Sequence, residues 1–251
     1  MAGTSSADEG DDITIKGSRS NATVYFLDGI RVSGNLPPQT EVEQLQVITG
    51  GVEAQYGDVT GGGISVTTKG PSEKFSGGFE AETSYGLDAF GYLLGQANIS
   101  GPIIRNKNKE SVLGFRLSGQ YLDRLDDDPP AISVYQIKKE KLAELEANPV
   151  LLVGGSYVPA AAFTTFDDVN EMKYQPNEQN TRYDFTGKLD AQIAKGLDMS
   201  VSGTYYQIAD QFTPSAWDAG MWNVFNSHNN PTEHDTRYRV NVRLLHRLGG
   251  G

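Results

Sequence analysis

The sequence predicts a mainly β protein: a small mixed domain over residues 1–72, then the antiparallel strands of an incomplete transmembrane β-barrel over 73–251. Three observations carry this. From residue 74 onward, apolar and polar residues alternate with a period of two over segments of roughly ten residues, longer than the five or six usual in soluble sheets. The connections between those segments are unequal, and the two longest fall on one rim. Ahead of them, residues 42–69 read as strand, glycine-rich turn, strand.

In chain order, residues 12–16 alternate Ile13 and Ile15 against Thr14 and Lys16, a short half-buried strand. Residues 23–27 form the next, and Asp28-Gly29 turns it into Ile30-Arg31-Val32, since Asp-Gly between apolar runs is a hairpin signal. Pro37-Pro38 breaks the chain before Glu41. Val42, Leu45, Val47 and Ile48 start a strand; Ile64-Ser65-Val66-Thr67-Thr68 is its sequel. Between them, six glycines in residues 50–63 mark backbone that turns sharply or packs closely. With no Gly-Lys-Ser/Thr ending and no helix pattern after it, this is not a phosphate cradle. Gly70-Pro71-Ser72 closes the domain.

Beyond it, Phe75, Gly77, Phe79, Ala81, Thr83 and Tyr85 oppose Ser76, Gly78, Glu80, Glu82 and Ser84. Leu113, Phe115, Leu117, Gly119 and Tyr121 oppose Gly114, Arg116, Ser118 and Gln120. The alternation is cleanest in residues 182–193, where Tyr183, Phe185, Leu189 and Ile193 face away from Arg182, Asp184, Lys188 and Asp190. Leu197 to Tyr205 repeats it, as do Tyr238, Val240, Val242 and Leu244 against Arg237, Arg239, Asn241 and Arg243. The phase of residues 90–100 is less distinct. About six strands result.

Alternation fits a soluble antiparallel sandwich with one wet face equally well. Connection lengths decide between the two. Residues 86–88, 124–180 and 210–235 join strands on one rim, and residues 102–110 and 194–196 on the other; short periplasmic turns with long extracellular loops are the barrel's asymmetry. No run of about 18 apolar residues offers a membrane helix.

The first long loop opens with Asp126, Asp127 and Asp128 before Pro129-Pro130 and carries a helix over 138–147. Three carboxylates suit calcium, but the twelve-residue EF-hand spacing is absent, so a solvated acidic turn is preferred. In the second loop Trp217, Trp222, Phe225 and Asn229, with Phe212 and His228, combine aromatic faces with amide donors and acceptors, the makeup of a small-ligand site. The alternative is that these rings pack the loop over the barrel mouth.

Composition narrows function by exclusion. The formal charge of −11 disfavours nucleic acid, which wants a basic face. There is no cysteine, hence no disulfide or thiolate metal site. His228, His234 and His246 show no metal spacing, no nucleophile elbow occurs, and Glu80 with Glu82 is a wet charged face; neither an enzyme nor a cofactor is predicted. The acidic first twenty residues are not a signal peptide, and together with Gly249-Gly250-Gly251 they read as the ends of a fragment.

Four pieces taken together add a family. Asp28-Gly29, VEQLQVITG at 42–50, QYGD at 55–58 and GGGISVTTKG at 61–70 resemble the end of the plug domain of TonB-dependent outer-membrane receptors, in the SusC-like branch. The likeness continues through Gly114-Phe115-Arg116 and RYRV at 237–240. It implies a partial plug followed by the first barrel strands, an outer-membrane location, uptake of nutrients such as oligosaccharides or peptides, a TonB-type energising protein and a surface lipoprotein as partners. It also implies that Arg116, Lys188, Arg239 and Arg243 face plug carboxylates such as Glu53 and Asp58 across a polar, hydrated interface. The competing readings are a soluble β-rich binding or adhesion module and, more remotely, a hydrolase of unrecognised type.

Overall fold

The computed structural model describes residues 4–5, 14–15, 23–32, 36–48, 62–214 and 222–248. The period-two segments are strands, and antiparallel pairing dominates. Strands β1 (Thr4–Ser5) and β2 (Thr14–Ile15) pair with each other, the latter inside the strand predicted over 12–16.

A four-stranded sheet follows: β3 (Val24–Leu27), β4 (Ile30–Val32), β5 (Val42–Ile48) and β6 (Gly63–Thr68), in the order β4-β3-β6-β5. Only β3 and β6 run parallel. Asp28 and Gly29 sit at φ 51° and 84°, the two left-handed positions of a type I′ turn. The Asp28 carboxylate accepts from Thr68 N at 2.8 Å and from Thr68 Oγ1 at 2.7 Å, fixing the turn to the end of β6. The core is Leu27, Ile64 and Val66, with Tyr25, Val32, Leu36, Val42 and Val47 packed on it. All of it belongs to this sheet and its flanks.

The exit runs through Pro71, which crosses Gly114 so closely that a Cβ there would lie 2.6 Å from the proline Cβ. The proline ring has nowhere flexible to go. Gly114→Ala is therefore expected to lower stability by about 1–3 kcal/mol, the usual range for overpacking, read as a fall in Tm.

The second sheet starts with β7 (Ser76–Thr83), β8 (Leu93–Arg105) and β9 (Ser111–Arg124). Residues 125–179 then leave the sheet. They carry β10 (Val134–Ile137), α1 (Lys139–Ala147), β11 (Val150–Val153), β12 (Ser156–Pro159) and β13 (Val169–Met172), where β10 pairs with β13 and β11 with β12. The chain returns in β14 (Asn180–Ala194), β15 (Leu197–Gln211) and β16 (Thr232–His246), giving the order β16-β15-β14-β9-β8-β7. Strands run past three predicted ends, so the expected turn over 102–110 shrinks to 106–110 and the loop over 210–235 to 212–231. At the outer rim the added residues, Asp210 and Gln211 on one strand and Thr232 to Asp235 on the other, are polar on both faces, which hides the alternation.

Register holds the faces apart. Phe79, Ala97, Gly119, Phe185, Tyr205 and Tyr238 form one row, and Glu80, Gln96, Gln120, Asp184, Tyr206 and Arg237 form the next, pointing the other way. The polar rows face the four-stranded sheet. The apolar rows face outward, with Phe79 78% and Tyr238 80% exposed.

Candidate functional site at the contact between the two sheets

Across the polar face, one row reads Ser100, Arg116, Lys188, Ser202, Asn241. Arg116 and Lys188 are directly opposite each other, an unfavourable like-charge pair unless something compensates it. The compensation comes from the small sheet. Arg116 Nε donates to Glu41 Oε2 at 2.7 Å and Nη2 to Oε1 at 2.8 Å, a bidentate pair in which Glu41 is 1% and Arg116 9% exposed.

Local chain geometry places Glu41. Pro37-Pro38 leads into a single 3-10 turn, Gln39–Glu41, whose Glu41 N–H donates to Pro38 O at 2.9 Å. The Glu41 carbonyl then accepts from Lys69 N at 2.9 Å, so the residue is held from both sides. Lys188 is bound more loosely: Nζ reaches Thr68 Oγ1 at 3.4 Å and Thr68 O at 3.5 Å, with Asp28 behind the hydroxyl.

Further contacts across the gap are hydrogen bonds. Thr40 Oγ1 donates to Gln96 Oε1 at 3.0 Å, and Gln96 Nε2 to Glu80 Oε2 at 2.5 Å. Ser72 N donates to Ser100 Oγ at 2.8 Å, and Ser100 is fully buried. Beside them lies a cavity of about 1310 Å³, whose walls include Gly29, Thr67, Lys188, Asp190 and Arg243.

The carboxylate that meets Arg116 is Glu41, which takes both the Nε and Nη2 donors; Glu53 and Asp58 lie outside the described residues. Arg243 lines the cavity in the row of Ser200 and Asp190, and Arg239 sits half-buried opposite Thr204.

At the outer rim, Asp126 is fully buried, its Oδ1 accepting from Asp128 N at 2.9 Å and its Oδ2 from Gln175 N at 2.6 Å, while Asp127 pairs with Arg124 at 3.3 Å. These oxygens shape the loop. The two long excursions are joined: Gln136 Nε2 donates to Ser227 Oγ at 3.0 Å, and Asn230 Nδ2 to Asn177 O at 3.1 Å. A cavity of about 650 Å³ lies there, with Gln136, Asn170, Tyr174, Asn177, Gln211 and His228 among its walls. Trp222 and Phe225 fall in α2 (Trp222–Asn226) and Asn229 in the turn after it; none of the three lines this cavity, and Trp217 lies outside the described residues.

Glu178 sits in the joint. Burial raises its carboxyl above the ordinary value, Asp126 and Asp127 raise it further, and hydrogen bonding to Thr213 opposes them. The protonated acid suits the closed joint, so its contribution is complete below the ordinary carboxyl value and is lost as pH rises through the elevated one. Hydrogen exchange at residues 213 and 227–230, corrected for intrinsic rates, should therefore be slowest in acid, and Glu178→Gln should flatten that dependence.

Nearby, Asp123 accepts from Tyr85 Oη at 2.8 Å, Gln179 Nε2 at 2.9 Å and Thr181 Oγ1 at 2.8 Å. Burial, then the hydrogen bond to Asp123 and its charge, push the Tyr85 phenol up to about 12. Asp123→Asn is expected to lower that value without restoring the ordinary one, since burial remains. Ultraviolet titration reads it.

No family model matches the sequence, and no curated protein does. Solved structures match its fold. A single-residue mutant of the ferric enterobactin receptor PfeA from Pseudomonas aeruginosa is 16% identical with a TM-score of 0.58, over 97% of this chain and 34% of that one. The siderophore receptor PirA from Acinetobacter baumannii is 16% identical with a TM-score of 0.56, over 92% and 31%. A double mutant of PfeA gives 17% and 0.53, over 85% and 30%. The fold is thus that of part of the plug and barrel of TonB-dependent receptors, and the chain spans about a third of the length of these proteins.

Proposed function

We propose that this chain is the portion of a TonB-dependent outer-membrane transporter in which the plug, residues 1–72, meets the first barrel strands, residues 73–251. The observation that carries the reading is the buried Glu41–Arg116 pair, joining a small self-contained sheet to the polar face of long strands whose other face is apolar and exposed. A soluble binding module would not leave Phe79 and Tyr238 uncovered on one continuous face. Lipid covers them in the transporter reading, and the whole transporter, of which this chain is a part, moves nutrients without catalysing a reaction.

The SusC-like motifs at 28–29, 42–50, 55–58 and 61–70 support oligosaccharides or peptides as cargo, a TonB-type protein as energy source and a surface lipoprotein as partner. A second reading, ferric siderophores, is favoured by the receptors whose fold it shares. The test is uptake by cells that carry the whole protein, with labelled oligosaccharides, peptides and ferric siderophores compared, and with the energising protein deleted in parallel. Energy-dependent uptake of one class assigns the cargo. Uptake of every class unchanged when the protein is deleted would refute the transporter reading.

A further inference from the structure

The cavity of about 650 Å³ at the outer rim lies where the excursion over 125–179 meets the one over 212–231. Its volume is that of a small-ligand site, about 300–1,000 Å³. The joint beside it is already made: Ser227 and Asn230, 2% and 6% exposed, hold Gln136 and Asn177 of the other excursion. Walls drawn from both excursions and from the end of β15 at Gln211 are thus in place before any ligand arrives.

Three glutamines in those walls are set the same way round. Gln136 Nε2 donates to Asn177 Oδ1 and Ser227 Oγ, both at 3.0 Å, Gln179 Nε2 to Asp123 Oδ1 at 2.9 Å, and Gln211 Nε2 to the Asn230 carbonyl at 3.3 Å. A carboxylate and a carbonyl only accept, so the amides of Gln179 and Gln211 have one orientation. No described residue donates to any of the three Oε1 atoms. Asn177 Nδ2 and both polar atoms of the Asn170 side chain are also without a partner among the described residues.

Charge narrows the ligand. No arginine lines the cavity, Lys138 Nζ is held by the Asp167 carbonyl at 2.6 Å, and Lys139 and Glu140 are adjacent, exposed and opposite in sign. An anion finds no bidentate donor there, and a cation finds no unopposed carboxylate. A sugar hydroxyl donates and accepts, so it matches an amide wall in both roles. Ile137, Met172 and Pro176, with the Tyr174 ring, offer an apolar surface to the C–H face of a pyranose.

We propose that this cavity binds an uncharged saccharide, whose hydroxyls donate to the free amide oxygens of Gln136, Gln179 and Gln211 and accept from Asn170 and Asn177. The inference rests on the transporter reading and narrows its cargo to oligosaccharides, and binding is measured apart from uptake.

The whole protein in detergent, applied to an array of oligosaccharides, should retain neutral glucans, mannans, galactans or xylans and pass over uronic-acid and free-amine ones of the same length. Asn170→Trp fills the cavity from β13 without breaking a side-chain hydrogen bond, and should weaken binding of the best neutral glycan by about tenfold or more. Glu171→Trp, on the opposite face of the same strand, should change it by less than about twofold. If Asn170→Trp loosens the joint, read as faster hydrogen exchange at residues 227–230, Asn170→Ala takes its place and should weaken binding with that exchange unchanged. No neutral glycan bound, a preference for acidic or basic ones, or equal losses from the two tryptophan variants overturns the proposal. Energy-dependent uptake of peptides or ferric siderophores with no saccharide bound would leave the transporter reading standing and sink this one. A neutral glycan bound in the cavity, yet taken up identically when the energising protein is deleted, would do the reverse.

Discussion

Glu41→Ala should unseat the small sheet from the large one at a cost of about 3–5 kcal/mol, the range for removing one member of a buried ion pair. The guanidinium of Arg116 would remain buried and unpaired. Lys188, directly opposite in the row, would add repulsion that Glu41 now offsets. Replacing both partners, as Glu41→Leu with Arg116→Leu, should recover most of the loss, because the penalty lies in the stranded charge more than in the absent bond. Lys188→Ala should matter far less, given contacts of 3.4 and 3.5 Å to neutral oxygens. Urea titration followed by hydrogen exchange in β6 measures all three. A shift under about 0.5 kcal/mol for Glu41→Ala, the size of an exposed pair, would show that the contact does not hold the sheets together.

The long strands were legible because every second side chain repeats the same choice over roughly ten residues of β9, β14, β15 and β16, and a one-residue slip would invert both faces; in β8 the phase is less distinct. The helix expected over 138–147 is seen as Lys139–Ala147. Short strands were not legible. Val134–Ile137 pairs with Val169–Met172 across more than thirty residues, and four-residue segments show too little alternation to announce a partner. The parallel pairing of β3 with β6 is equally non-local. Glu41 went unmarked for a related reason: a single acid has no periodicity, and its partner is 75 residues away. The only local sign was Pro37-Pro38, which stiffens the approach to it. In the outer loops the aromatic residues drew attention, yet of them only His228 lines the cavity, beside amides such as Gln136, Asn170 and Asn177 and apolar side chains such as Ile137 and Leu142, because side-chain direction in irregular backbone leaves no trace in spacing.

Val240→Arg tests the other half of the reading, and its effect should depend on the solvent. Val240 is 77% exposed near the middle of β16, on the row face that points away from the small sheet. If water covers that face, an arginine there changes stability little, as surface substitutions usually do. If lipid covers it, the same substitution should cost about 2–4 kcal/mol, the penalty for Arg near the bilayer midplane on a barrel's outer face. The neighbouring residue Asn241 supplies the control, since it lines the cavity on the opposite face and an arginine there stays in water. The whole protein folded into vesicles, titrated with denaturant, should therefore show a large loss for Val240→Arg and a small one for Asn241→Arg. Equal small losses would mean that the apolar rows meet no membrane, and the transporter reading would fall with them.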